Sequence, residues 1–228
     1  MIILAIDTAS RSCSVAVVKD DDILSEITDV SGQTHSRHLM TMVDKALSMS
    51  VEHFDKIDAF AVTRGPGSFT GLRIGIATAK GLAEAAGRPL LGISSLQALA
   101  WQVFQANVVL VPMLDARRRE VYAGRFTCDG SRLKALGEEG VFAPEKAVEG
   151  IATPCLLVGD GAVVYEDRLR SVLGQRMQVA LPFQHMIKAS TIAYLARRRM
   201  GVTEDERLRL TPRYIRKSYV EEGRLQAR

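Results

Sequence analysis

The sequence predicts an α/β protein made of two related halves, each running βββαβα. Three observations carry this prediction. An apolar strand ending in Asp, a short turn and a second strand occur twice, around Asp7 and around Asp115. Each half opens with short-linked strands that suit an antiparallel meander. Each then alternates strands with helical patterns, the order of parallel βαβ units. The expected division is residues 1–106 and 107–228.

In the first half, residues 2–6 and 13–18 are apolar strands, joined at the polar turn 19–22 to a third strand, 23–30. Thr34 or Ser36 caps a helix running to Ser50, with Leu39, Met42, Val43, Ala46 and Leu47 on its buried face. A β-branched run over 57–63 is the next strand. Gly65, Pro66 and Gly67 break it, and Ser68 or Thr70 can accept from the free N–H groups of a following helix to residue 86. In that helix Gly71, Gly75, Ala79 and Ala83 fall four apart, a small-residue ridge that lets another backbone approach closely. A strand over 89–93 and a helix from Ser94-Ser95 to residue 105 complete the half. In the second half, strands are expected at 108–114, 120–127, 133–141 and 155–158. Helices follow at 144–150, 162–173 and 189–200.

The 228 residues, 47% hydrophobic and 25% charged, suffice for a sizeable core. A net charge of +4 permits nucleic-acid contact without arguing for it. Cys13, Cys128 and Cys155 are odd in number and far apart, which suits buried reduced thiols. Met1 runs directly into a strand, and no run of about 18 apolar residues occurs. A soluble cytoplasmic chain with no membrane span is expected.

Candidate chemistry is sparse. Asp7 and Asp115 stand at strand ends, where the cleft of a duplicated fold could place a nucleotide with its metal. Each can equally be a carboxylate bonded to the turn after it, Thr8 to Ser12 in the first case. Arg117, Arg118 and Arg119 can neutralise Asp115. His35 and His38 lack a third ligand nearby, so no metal site is expected. GPGSFTG is neither a P-loop nor GxGxxG. His185 stands alone, and no hydrolase triad emerges. Residues 197–228 carry ten Lys/Arg against five Asp/Glu. That segment reads either as a solvated tail with one docked stretch, Tyr214-Ile215, or as a basic surface for RNA.

IDTAS near the start, RGPGSFTGLRIG, the AxAKGLA helix, GISSLQALA and LDARRREVYAGRF together resemble the bacterial TsaB family. The likeness runs from Ile2 to about Phe126 and recurs at Pro212 to Arg216. It implies two lobes of the actin/Hsp70/sugar-kinase (RNase H-like) type. It implies an accessory protein of tRNA threonylcarbamoyladenosine biosynthesis that pairs with the catalytic paralogue TsaD and, alone, with itself. With the ATPase TsaE, TsaD transfers a threonylcarbamoyl group to N6 of adenosine 37. TsaD carries two metal-binding histidines four apart. Here His35 and His38 are three apart, which agrees with an inactive paralogue that carries no cofactor and no catalytic residue.

The resemblance places the partner surface on the helices spanning 34–50 and 70–86. Its residues here are His35, His38, Leu39, Met42, Thr70, Gly71, Arg73, Gly75, Ala79 and Ala83. Asp7, Thr8 and Asp115 are left as a vestigial adenine-nucleotide site, and tRNA is expected to be met through the complex. The rival readings are a free-standing ATP-dependent kinase or ATPase of the same fold and a metalloprotease-like hydrolase.

Overall fold

The first strand sets the architecture. In Ile2–Asp7 (β1), Ile2, Leu4 and Ile6 enter one core and Ile3 and Ala5 another, so both faces of the strand are covered. The structure, a computed structural model, describes residues 1–31, 35–130, 132–201 and 204–216. β1 pairs antiparallel with Cys13–Lys19 (β2), which pairs antiparallel with Asp22–Asp29 (β3). His35–Ser50 (α1) leads to Ala59–Gly65 (β4), parallel to β1. Phe69–Ala86 (α2) leads to Leu90–Ser94 (β5), parallel to β4, and Ser95–Gln102 (α3) follows. The sheet order is β3-β2-β1-β4-β5.

The second half repeats it. Val109–Asp115 (β6) pairs antiparallel with Val121–Ala123 (β7), and a hairpin of Phe126–Asp129 (β8) and Arg132–Ala135 (β9) is inserted before Gly140–Phe142 (β10). Pro144–Val148 (α4) precedes Cys155–Val158 (β11), parallel to β6. Asp160–Val164 (α5) and Glu166–Leu173 (α6) lead to Met177–Val179 (β12), parallel to β11, and Ala189–Arg199 (α7) ends the repeat. The path β10-β7-β6-β11-β12 matches the first sheet strand for strand, so the duplication expected from the two Asp-ended strands is present.

Several boundaries differ from expectation. The strand expected over 120–127 breaks at Gly124-Arg125, where the Arg125 guanidinium is held by the carbonyls of Lys146, Ala147 and Glu149. The strand expected over 133–141 is two strands, because Leu136 to Glu139 loop out and the Glu139 carboxylate reaches Ser94 and Arg213. The helix over 162–173 is interrupted at Tyr165, whose hydroxyl donates to Asp115 Oδ1 at 3.2 Å. β12 has too few residues to announce itself in sequence.

α7 is the topological counterpart of α3, and it packs on the first sheet against β1, β2 and β4. The two helices lie together between the sheets, and one apolar core runs through Ile3, Ile93, Leu99, Leu110, Val158 and Ile192. The expected division at 106/107 therefore separates α7 from the sheet it covers. Segment 204–216 also docks on the first half. Asp205 and Glu206 accept from the N–H groups of Leu90 and Gly92, and Arg199 donates to the Gly92 carbonyl. These side chains cap the free edge of β5. Over residues 204–216 the docking thus extends well beyond the expected stretch Tyr214-Ile215. Arg213 pairs with Glu139 and Arg216 with Glu120, while residues 217–228 lie outside the described residues.

α2 begins as the sequence predicts. Ser68 Oγ accepts from Gly71 N–H at 3.2 Å, and Gly87 closes the helix in left-handed backbone, φ 61°. The small ridge does not face outward. Gly71, Gly75, Ala79 and Ala83 are all buried, whereas the larger Ile74 and Leu82 are only half-buried. The reason is a close approach to the end of β1. A Cβ on Gly71 would stand 2.0 Å from the Thr8 carbonyl oxygen, and one on Gly75 2.2 Å from Thr8 Oγ1. Gly75→Leu is therefore expected to unfold the chain itself, not merely to block pairing. A cooperative melt at the wild-type midpoint would refute that packing.

Candidate functional site

The ends of β1, β4 and β6 converge on a cleft between the halves, about 640 Å³ in volume. Ser10 and Arg11, after β1, and Ser68 and Phe69, at the start of α2, form one wall. Asp115, Arg117, Tyr122 and Asp160 form the other. The geometry of both walls comes from glycines at turns after parallel strands. Gly67 lies where a Cβ would meet the Ala9 carbonyl oxygen at 2.2 Å. Gly159, at φ 102°, packs equally close to the Met113 carbonyl. The turn after β11 thus repeats the turn after β4, a relation hidden in sequence because GPG and GDG share little beyond their glycines.

The three residues expected as a nucleotide site do not assemble. Asp115 lines the cleft. Its Oδ1 accepts from Arg117 N–H at 2.9 Å, and its own N–H donates to Asp160 Oδ1 at 3.0 Å. Asp7 and Thr8 are fully buried beneath the cleft floor. Thr8 Oγ1 donates to the Gly71 carbonyl at 2.8 Å. Asp7 Oδ1 accepts from Thr63 Oγ1 at 2.7 Å and Ala9 N–H at 3.1 Å, while Oδ2 is buried without a partner. Burial pushes the Asp7 carboxyl up to about 7, against the smaller pull of those hydrogen bonds. Of the two readings of Asp7, the turn-bonding carboxylate is the one its geometry matches. Burial also raises Asp160, against the smaller pull of the hydrogen bond from Asp115 N–H. The two cleft carboxylates share their wall with Arg117 and face Arg11 on the other, so the cleft carries acids and cations together.

On the helical face, the expected partner residues divide. Thr70 and Arg73 are exposed. His38 is half-buried and borders a cavity of about 300 Å³ with Asp29, Thr41 and Lys45. Leu39 and Met42 are 1% and 5% exposed and belong to the first-half core, so they are corrected from surface to interior. The four ridge residues Gly71, Gly75, Ala79 and Ala83 receive the same correction, because the helix packs its small side against β1. The His35 side chain lies outside the described residues. Exposed apolar positions on these helices include instead Met40 and Met49 on α1 and Phe69, Ala77 and Ala85 on α2.

Other candidates have structural roles. His185 Nδ1 accepts from Gly159 N–H at 3.1 Å, which leaves Nε2 to donate to the Ala180 carbonyl. Cys13 and Cys155 are buried and Cys128 half-buried, all as free thiols. No described helix is long and apolar enough to cross a membrane. Sequence reasoning passed over Arg11, Tyr122 and the exposed pair Phe69–Tyr214. Arg11 lies only four residues past Asp7, but nothing in its spacing distinguishes it from a solvated turn residue.

The family model for tRNA N6-adenosine threonylcarbamoyltransferase, TsaD, matches residues 23–222. The tRNA threonylcarbamoyladenosine biosynthesis protein TsaB of Haemophilus influenzae is 30% identical, covering 94% of this chain and 93% of its own length. A solved Pseudomonas aeruginosa structure, described as an uncharacterized protein with similarity to peptidase YeaZ, superposes with a TM-score of 0.79. It is 30% identical and covers 94% of this chain and 99% of that one. Component A of (R)-2-hydroxyglutaryl-CoA dehydratase from Acidaminococcus fermentans, 11% identical, covers 86% of this chain and 97% of its own at a TM-score of 0.52. It shares the fold alone. The duplicated sheets are of the actin/Hsp70/sugar-kinase type that the family resemblance implies. In sequence and in architecture alike, the chain belongs to the TsaB family of tRNA threonylcarbamoyladenosine biosynthesis proteins.

Proposed function

We propose that this chain is a non-catalytic subunit that pairs with TsaD and, with the ATPase TsaE, serves N6-threonylcarbamoylation of adenosine 37 in tRNA. The observation that carries the non-catalytic part is the spending of Asp7 and Thr8 on internal packing. A carboxylate 0% exposed and bonded to Thr63, over a threonine bonded to Gly71, has no line to a ligand in the cleft. Adenine-nucleotide binding in the cleft would then depend on Asp115 and the arginines alone. Partner association uses the outer faces of α1 and α2, where Met40, Met49, Ala77 and Arg73 are exposed. Methionine adapts to a partner surface at little strain. The same face serves self-association when TsaD is absent.

The test is co-elution. The chain mixed with TsaD is expected to elute as a heterodimer, and Met40→Asp with Ala77→Glu is expected to weaken pairing at least tenfold while leaving the melt unchanged. Both positions are exposed, so the substitutions leave the core alone. Wild-type affinity in that variant would place the interface elsewhere. Turnover of ATP or peptide by the pure chain, abolished by Asp115→Ala, would overturn the non-catalytic reading.

A further inference from the structure

The turn joining β6 to β7 passes through Arg117, Arg118 and Arg119 at φ 62°, 53° and 63°. Left-handed backbone is disfavoured for residues bearing a Cβ, and Gly or Asn is the ordinary occupant. Three arginines in succession there are held from several sides. Ala116 N–H donates to the Glu120 carbonyl at 3.0 Å and Glu120 N–H to the Arg117 carbonyl at 3.0 Å. Arg216 donates to the Ala116 carbonyl at 3.0 Å and pairs with Glu120. A strained conformation fixed this firmly points to a task at that place.

Arg117 lines the cleft, and Arg118 and Arg119, next to it in the turn, are exposed. Arg11, also exposed, lines the opposite wall. Beside them Phe69, a cleft residue, stacks on Tyr214 with ring centroids 4.6 Å apart, and the Arg73 guanidinium lies 3.8 Å over the Phe69 ring. The two rings remain 36% and 38% exposed. Cations on both lips suit a phosphodiester backbone, and exposed aromatic rings suit unstacked bases. A duplex would satisfy the cations but offer the rings nothing. Asp115, 3.5 Å from Arg117, opposes an anion at the floor of the cleft, which favours a strand crossing the mouth over a small anion seated deep inside.

We infer that the mouth of the interlobe cleft binds a single-stranded segment of RNA, with Arg11 and Arg117 to Arg119 on its phosphates and the Phe69–Tyr214 pair against a base. This rests on the reading above that the chain serves a tRNA-modifying assembly.

Asn at 118 and Gly at 119 suit left-handed backbone, so Arg118→Asn with Arg119→Gly removes two cations while relaxing the turn. A fluorescent tRNA anticodon stem-loop is titrated with the chain alone and with its TsaD complex across a range of salt. The variant is expected to melt higher than wild type and to bind the RNA about tenfold more weakly. Its log–log salt slope is expected to be shallower by about 1.4. A blunt RNA duplex is expected to compete poorly against the stem-loop. Unchanged affinity and salt slope would overturn the inference even if the melt rises, because the turn would then serve only the fold. Unchanged RNA affinity with weaker pairing to TsaD would overturn it too, and would make the patch a protein contact. Absence of RNA binding by wild type in both forms ends it outright. Failure to pair with TsaD strikes the proposed function instead, since the isolated chain is titrated separately. Arg11→Ala, on the opposite lip, gives the same decision by affinity and slope should the double variant misfold.

Discussion

Gly71→Ala is expected to destabilise the chain by about 3 kcal/mol or more, while Gly81→Ala, on the same helix, is expected to stabilise it by about 0.5–1 kcal/mol. Alanine is the better helix former at both positions, so propensity alone predicts two gains. The difference is what the added methyl meets. At Gly71 it would stand 2.0 Å from the Thr8 carbonyl oxygen, a backbone atom at the end of a fully buried strand, and neither partner can turn away. α2 would have to lift from β1, loosening Leu72 and Ile76 and breaking the Thr8–Gly71 hydrogen bond. At Gly81 nothing lies within 4 Å, and the position is exposed. Urea unfolding of the two variants measures both signs in one series. A neutral Gly71→Ala would mean that α2 sits farther from β1 than the structure has it.

Asp7→Asn is expected to be close to neutral near pH 4 and to stabilise the chain by on the order of 4 kcal/mol near pH 8. Burial raises the folded-state carboxyl from 3.8 to about 7, roughly three pH units at about 1.4 kcal/mol each. The sign follows from linkage. The protonated carboxyl is the form the interior accepts, so Asp7's favourable contribution is fully present below 3.8 and is lost as pH rises through 7. Asparagine copies the neutral acid. Its carbonyl can accept from Thr63 and Ala9 as Oδ1 does, and it has no charge to bury. The measurement is the difference in unfolding free energy between variant and wild type from pH 4 to pH 8. A difference that stays flat, or that favours wild type at pH 8, would show that Asp7 is ionised and compensated in the folded protein.

The two carboxylates at strand ends show how far a sequence can be read. Both were visible as Asp7 and Asp115, and the repeat that they mark is real. Their environments are opposite. Asp7 is sealed under α2 by the close seating of Gly71 and Gly75, whereas Asp115 faces open cleft beside Arg117. The ridge of small residues was equally visible, and its direction was not. Spacing of four places residues on one side of a helix, but either side of α2 carries apolar residues. Which side meets β1 depends on how the turn at Gly65 to Gly67 aims the helix.

What the sequence determined by itself was the order of elements in the first half, the start of one helix at Ser68 or Thr70 and of the next at Ser94-Ser95, and the internal duplication. These depend on local hydrogen bonding and on periodicity, which neighbouring residues set between them. The tertiary structure alone decided that α7 covers the first sheet and that Arg213 and Arg216 pair with Glu139 and Glu120 of the second half. It alone brought Arg11 opposite Arg117 and Phe69 against Tyr214. Each of these contacts joins residues roughly a hundred positions apart or more, except those of Arg213 and Glu139, which are 74 apart. Local pattern carries no record of such partners, because an arginine in a solvated turn and one at a cleft wall obey the same local preferences.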